Sequence, residues 1–343
     1  MRLKEVPVQE AIGQVLCQDI TRIVKDVVKD TAFRKGHIVT EEDIPVLLSI
    51  GKEHLYVWEN DDTMYHENEA AEVLREICQG ENMSPTPVKE GKIELIADCD
   101  GLFVMDVERL DQINALEDIM IACRHTNYPV HKGDKLIGTR VIPLVIEKEK
   151  MENAKALAGD TPLANVIPYK NLKCGIVTTG SEVYYGRIKD TFTPVIEQKL
   201  AAYGIEVSGH ITCNDDQQMI TDAILKLKSE GADMICCTGG MSVDPDDRTP
   251  SAIRATGARI VTYGAPILPG AMFLLAYMED GTPIMGLPGC VMYAKATVFD
   301  LILPRVCAGV NVTKKDIAKM GNGGLCLGCK VCHFPNCGFG KGV

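Results

Sequence analysis

"CCTGGMSVDPDDRTPSAI", residues 236–253, sets a glycine pair and three aspartates between segments of different periodicity. Upstream, DMICC (233–237) reads as a buried strand, being a short apolar run next to turn residues. Downstream, TPSAIRATG (249–257) reads as a short helix with proline in its first turn. Gly239 and Gly240 lack a Cβ, so backbone N–H groups there can approach a phosphate or a flat ring closely. Asp244, Asp246 and Asp247 follow within the same loop. Carboxylates this close to a phosphate would repel it unless a cation lies between them, and Asp247 is a hard oxygen donor suited to Mg²⁺.

The surrounding residues, 171–310, repeat the strand-then-helix alternation. CGIVTT (174–179) and IEVSGHIT (205–212) read as strands, as do ARIVTYG (258–264) and PIMGL (283–287). DTFTPVIEQKLAAYG (190–204) carries Val195, Ile196, Leu200 and Tyr203 at helical spacing, and DQQMITDAILKLKSEG (216–231) carries Met219, Ile220, Ala223, Ile224 and Leu227. A last helix is expected from about Val291. Such alternation predicts parallel βαβ units, an α/β class with a mostly parallel sheet. Ligands of open α/β sheets bind outside the carboxyl ends of the strands. Four loops follow strands here: TTGSEV (178–183), CNDD (213–216), TGGMSVDPDD (238–247) and LPGC (287–290). Gly180 and Gly289 offer the same close approach as the glycine pair, and Asp215 is a second candidate Mg²⁺ ligand. Taken singly, each signal has a plainer reading. Asp215, Asp216 or Asp247 caps a helix, and TGG is a turn.

The rest of the chain sets bounds. Its 343 residues suggest about two domains. A composition 46% hydrophobic and 24% charged is that of a globular protein, and the net charge of −11 argues against nucleic acid or an anionic membrane as partner. The N-terminal segment lacks the apolar core of a signal peptide, and no apolar run reaches the ~18 residues of a membrane span. A cytoplasmic protein is expected. The reading divides the chain into an N-terminal α+β segment (1–82), a mixed α+β domain associated with it (83–165), the α/β domain (166–312) and a tail (313–343). In the first, Thr40 is expected to cap a helix carrying Ile44, Leu47 and Leu48 that ends at Gly51, followed by the strand HLYVW (54–58). The acidic stretch 59–81 reads as a solvated helix.

Ten of the fourteen cysteines are scattered in mostly apolar surroundings, as small buried hydrophobes would be. The other four are Cys326, Cys329, Cys332 and Cys337, with His333 among them. C-x₂-C-x₂-C-x₄-C supplies enough thiolates for a tetrahedral Zn²⁺ and also resembles part of a ferredoxin run that holds an Fe–S cluster. A redox disulfide set is the alternative. The tail is basic, with Lys314, Lys315, Lys319, Lys330 and Lys341 against Asp316, and reads either as a docking surface or as a solvated segment.

The ordered set GIVTTGSEV, NDDQQMITDAI, TGGMSVDPDDRTPSAI and GLPGC resembles the molybdopterin-binding domain of molybdenum cofactor biosynthesis proteins. EAIGQVL (10–16) and KGHIVTEEDIPVLLSIG (35–51) resemble the opening of the molybdopterin molybdenumtransferase type. The resemblance implies a Rossmann-like α/β domain that binds molybdopterin or molybdopterin-AMP with Mg²⁺, inserts molybdate and releases AMP. Asp215 and Asp247 would hold Mg²⁺, and Glu182 would position water or molybdate. Thr179, Gly180, Ser181, Thr238, Gly239, Gly240, Ser242, Pro288 and Gly289 would seat the phosphate and pterin. It also implies a homodimer and a molybdoenzyme client. The chain departs from the family's pattern at Ser181, where aspartate is usual, and at Cys290, where asparagine is usual. It also has no match to the family's Ser-x-x-Asp-Gly-Tyr-Ala segment, and no C-terminal β-barrel is expected. Two further functions fit the same motifs. One is adenylyl transfer to molybdopterin, since the adenylyltransferase relatives share TGG-x₆-D-x-T; the other is a non-catalytic molybdopterin carrier or sensor.

Overall fold

The computed structural model describes residues 2–24, 28–59 and 63–342. It divides into two compact units: Met1–Cys99 with Phe103–Thr126 and Val130–Val166, and Asp100–Leu102 with Asn127–Pro129 and Ile167–Val343.

In the first unit, strand Arg2–Pro7 pairs antiparallel with His54–Glu59 over a small core that includes Val6, Leu16, Leu47 and Leu55. The expected helix is Asp43–Ser49, and it ends at Gly51, whose φ is +77°. Thr40 does not cap it with its hydroxyl. Instead Asp43 Oδ2 accepts both the Thr40 N–H (2.8 Å) and the Thr40 hydroxyl (2.9 Å), and Leu48 stays exposed. The acidic stretch corrects the sequence reading. Residues 60–62 lie outside the described residues, but Glu67–Cys78 is a helix that buries Ala70, Ala71, Val73, Leu74, Ile77 and Cys78. These positions form one apolar stripe, which the glutamates on the opposite face mask in the composition. The unit also holds an antiparallel sheet in the order Met83–Pro85, Lys92–Ala97, Lys135–Val141, Ile119–Cys123.

The second unit is the α/β domain, and its elements are numbered here in chain order. They are β1 (Lys173–Thr179), α1 (Ser181–Tyr184), α2 (Thr193–Ala201), β2 (Glu206–Cys213), α3 (Gln217–Ser229), β3 (Met234–Thr238) and α4 (Thr249–Ala255). There follow β4 (Arg259–Tyr263), β5 (Leu274–Tyr277), β6 (Pro283–Leu287), α5 (Val298–Cys307) and α6 (Lys314–Lys319). The sheet order is β2-β1-β3-β6-β5-β4. β1, β2, β3 and β6 are parallel, whereas β5 pairs antiparallel with both β6 and β4. β5 escapes the sequence reading because FLLAY follows a proline–glycine loop with no helix before it. It leads by the turn Met278–Thr282, closed by a hydrogen bond between those two residues, directly back into β6. The helix expected from about Val291 is α5, which starts at Val298 because Thr297 and Asp300 form a reciprocal capping box; α6 follows it. Two apolar layers cover the sheet, one built on Ile176, Cys236, Phe273, Met285 and Phe299 and the other on Val177, Ile224, Cys237 and Ile284. Of the ten scattered cysteines, Cys17, Cys78, Cys174, Cys213, Cys236, Cys237 and Cys307 are buried, as small hydrophobes should be.

Candidate functional site

Register brings the strand ends level. Thr178 lies opposite Thr238, Thr238 opposite Leu287, and Thr179 opposite Cys213. The four loops therefore leave one edge of the sheet side by side. Only two of them line the pocket there. This pocket, about 390 Å³, is bounded by Gly239, Gly240, Met241, Ser242 and Asp247 after β3, by Leu287, Pro288, Gly289 and Cys290 after β6, and by Ala271 and Met272. That volume lies in the range of small-molecule sites. A larger cavity, about 920 Å³, opens at the opposite edge, beside Leu172 and Arg259 at strand starts. It lacks the glycine loops, and its Lys228 is ion-paired with Asp280 at 2.8 Å. The carboxyl-end pocket is the candidate site on chemical grounds.

The glycine pair has a structural cause that the sequence could not show. Both residues have left-handed backbone, φ +82° at Gly239 and +56° at Gly240. A Cβ on Gly239 would stand 2.2 Å from the Thr179 carbonyl oxygen, and one on Gly240 would stand 2.9 Å from Thr249 Oγ1. Close packing on residues beneath, in addition to access from the pocket, excludes side chains here. Thr249, fully buried, fastens the loop from below. Its hydroxyl donates to the Gly239 carbonyl (2.9 Å), its N–H donates to the Gly240 carbonyl (3.2 Å), and it shares a hydrogen bond with Thr179 Oγ1 (3.1 Å). Tyr263 fastens the loop from the side, its hydroxyl donating to the carbonyls of Met241 and Ser242, each at 3.0 Å. Burial, and secondarily the charge of Asp247, pushes the Tyr263 hydroxyl up, which keeps it a donor. Neither Thr249 nor Tyr263 was among the residues expected to form the site. The Thr two positions after Asp247 was visible in the TGG-x₆-D-x-T pattern, but nothing local marks Tyr263.

The predicted site residues fall into three groups. Gly239, Gly240, Ser242, Asp247, Pro288 and Gly289 line the pocket. Thr179 and Thr238 are buried beneath it, Thr179 donating to the Thr238 carbonyl at 3.2 Å. Gly180, Ser181, Glu182 and Asp215 belong to the other pair of loops and do not line it. There the Ser181 N–H donates to Asp215 Oδ2 at 2.9 Å, tying the start of α1 to the end of β2. Glu182 is exposed, folded back over Gly180. The capping alternatives also resolve. Asp216, not Asp215, caps α3, accepting the Met219 N–H at 2.8 Å. Asp247 caps no helix; α4 begins after Arg248, and Asp247 Oδ2 closes a turn by accepting the Asp244 N–H at 3.0 Å. Cys290 stands on the pocket wall with its thiol pushed up by burial, so at neutral pH it is a protonated, weak nucleophile.

One carboxylate on the wall suits Mg²⁺ held mainly by water and ligand phosphate, a common arrangement for that ion. Among the described residues, no three His, Cys, Asp or Glu side chains are grouped to hold a metal ion by themselves. Asp215 does not line this pocket, so of the two expected Mg²⁺ ligands its wall offers Asp247.

Parallel sheet, level strand ends and a glycine-lined pocket define a Rossmann-like domain built to take a ligand at its carboxyl edge. Residues 175–308, which contain all four loops, match the family model described as "Probable molybdopterin binding domain", about two fifths of the chain. Residues 5–59 match another, described as a domain of unknown function. A CinA-like protein of Chlorobaculum tepidum is 36% identical over 95 residues, covering 28% of this chain and 22% of that protein. A CinA-like protein of a Mycobacterium species (strain MCS) is 38% identical over 82 residues, 24% of this chain and 19% of that one. The chain thus spans about a fifth of the length of these curated relatives. Among solved structures, the molybdopterin biosynthesis enzyme MoaB of Thermus thermophilus is similar at 25% identity and a TM-score of 0.33, covering 39% of this chain and 91% of that one. Among the described residues, no helix is long and apolar enough to cross a membrane.

Proposed function

We propose that the carboxyl-edge pocket binds molybdopterin or molybdopterin-AMP and that the chain acts in molybdenum cofactor biosynthesis, inserting molybdate with release of AMP. The observation that carries this reading is the convergence of two left-handed glycines, Asp247 and Pro288-Gly289 on one pocket inside the matched domain. The backbone of Gly239–Ser242, rigidly fastened by Thr249 and Tyr263, is the phosphate seat. Met241, Met272 and Leu287 supply apolar wall for a flat pterin. Asp247 holds Mg²⁺, which neutralises phosphate charge when bound. The Ser181–Asp215 bond ties the neighbouring loop, on which Glu182 is exposed, to the end of β2. Cytoplasmic location, a homodimer and delivery to a molybdoenzyme client belong to this proposal.

A second reading is a non-catalytic carrier or sensor. It is favoured by the position of Asp215 and Glu182 outside the pocket wall, which leaves Asp247 as the only one of the three expected catalytic carboxylates on it. One experiment separates the two. Full-length protein is incubated anaerobically with molybdopterin-AMP, Mg²⁺ and molybdate, and AMP and pterin-bound molybdenum are measured. Molybdate-dependent AMP release is the expected result. Tight pterin binding without release transfers the assignment to the carrier, and absence of pterin binding refutes both.

A further inference from the structure

The tail is tied to the α/β domain at both ends, while residues 327–333 between them are exposed. Leu325 forms a parallel bridge with Leu268, through Leu268 N–H to the Gly324 carbonyl and Cys326 N–H to the Leu268 carbonyl, each 2.8 Å. The Gly340 N–H donates to the Gly323 carbonyl at 2.9 Å, closing residues 323–340 into a loop. Phe339 is buried in the α/β core, and a Cβ on Gly340 would stand 2.4 Å from Leu301, so the loop lies tight against α5. Between Gly324 and Gly340 the loop has neither helix nor extended strand, and it leaves Leu325, Leu327 and Val331 exposed at 64%, 82% and 65%. A long run of irregular backbone with apolar side chains turned outward needs an internal cross-link to keep one shape.

The loop encloses a cavity of about 510 Å³. Cys326, Cys329, Cys332 and Cys337 all line it, with His333, and its walls include Leu325, Leu327, Phe334 and Phe339. Cys326 and Cys337 are half-buried at the core side, and Cys329 and Cys332 are exposed. All four are free thiols. They share one cavity whose volume of about 510 Å³ is far more than a single ion fills, and whose walls are largely apolar. Those two features bear on the choice of ligand. Tetrahedral Zn²⁺ at a Zn–S distance of about 2.3 Å needs its four sulfurs within about 4 Å of one another. A cubane Fe–S cluster places its thiolates at separate corners, further apart, and is stabilised by an apolar shell.

We propose that Cys326, Cys329, Cys332 and Cys337 ligate a [4Fe–4S] cluster in this cavity, each thiol binding iron as thiolate after losing its proton. The site does not depend on the function proposed above, but it adjoins that pocket. Pro269 lines the cluster cavity and Ala271 lines the pocket, and two residues of chain span at most about 7 Å. Similarly Cys290 lines the pocket, and Ala294 and Lys295 on the next turn of chain line the cavity.

The test uses the full chain, purified anaerobically and reconstituted with ferric iron, sulfide and excess thiol. About four iron and four sulfide per chain are expected, with a broad visible absorption and a paramagnetic signal on reduction by dithionite. Cys329→Ser and Cys332→Ser, at exposed positions, should keep the circular dichroism spectrum and lose at least half of the iron. A single zinc per chain in an all-sulfur tetrahedral site by X-ray absorption, with no sulfide, overturns the proposal. So does a correctly folded protein that retains no iron after reconstitution, or variants that keep the full cluster.

Discussion

Replacing Thr249 by valine keeps the side chain's shape and removes one hydroxyl at a fully buried position. The hydroxyl's one proton is donated to the Gly239 carbonyl at 2.9 Å, and that bond is lost. Thr179, 3.1 Å from the lost oxygen, still donates to the Thr238 carbonyl at 3.2 Å, so the deficit falls on Gly239. Leaving that carbonyl without its partner costs about 2 kcal/mol, or roughly a thirtyfold shift toward the unfolded state. For a unit of this size that corresponds to about 4–8 °C in Tm. Thr249→Ser keeps the hydrogen bond and removes one buried methyl, costing about 1 kcal/mol. The order wild type, serine, valine is therefore expected in native-state hydrogen exchange at β1 and β3, which reports this unit separately from the first. Pterin affinity should fall in the same order, because the loop that seats the phosphate is held by the same hydroxyl. A valine variant within about 0.5 kcal/mol of wild type, or a serine variant less stable than valine, refutes the assignment of Thr249 as the fastener of the glycine loop.

Gly239→Ala forces a Cβ to 2.2 Å from a backbone oxygen at φ +82°, so a loss of about 3 kcal/mol or more is expected in urea unfolding, well beyond an ordinary surface change. Asp247→Ala should abolish Mg²⁺-dependent AMP release while leaving the circular dichroism spectrum intact; unchanged turnover would remove its role. Acid stability should depend on Asp190. Burial alone would raise its carboxyl, but the Thr193 hydroxyl and the N–H groups of Phe192 and Thr193 hold it below the ordinary range. Its contribution is then full above the unfolded value of about 3.9 and is lost as pH falls through the lower folded value, so Asp190→Asn should flatten stability against pH in that acid window.

Strand and helix positions were largely legible in the second unit, since periodicity is written within windows of ten or so residues. Level loops at one sheet edge followed from the parallel reading, and the register of Thr178, Thr238 and Leu287 bears that out. The helix Glu67–Cys78 was misread because its glutamates dominate the composition while its buried stripe is carried by small residues such as Ala70 and Ala71. β5 was missed because its apolar run has no helix between it and β6, so the alternation that revealed the other strands is absent there.

By itself the sequence determined the α/β class, the placing of glycines and carboxylates after strands, and the spacing of four tail cysteines. Tertiary structure alone decided which of those groups meet. Asp215 is taken by Ser181, 34 residues away, and Asp247 is left on the pocket wall. Thr179 and Thr249, 70 residues apart, close beneath the glycine pair and make a Cβ there impossible. The tail folds back so that four thiols share a cavity with Phe334 and Phe339. The physical reason is the range of the forces involved. Backbone propensity and amphipathic period act between near neighbours in the chain. The partner of a carboxylate, by contrast, is settled only when packing brings distant segments within hydrogen-bonding distance of one another.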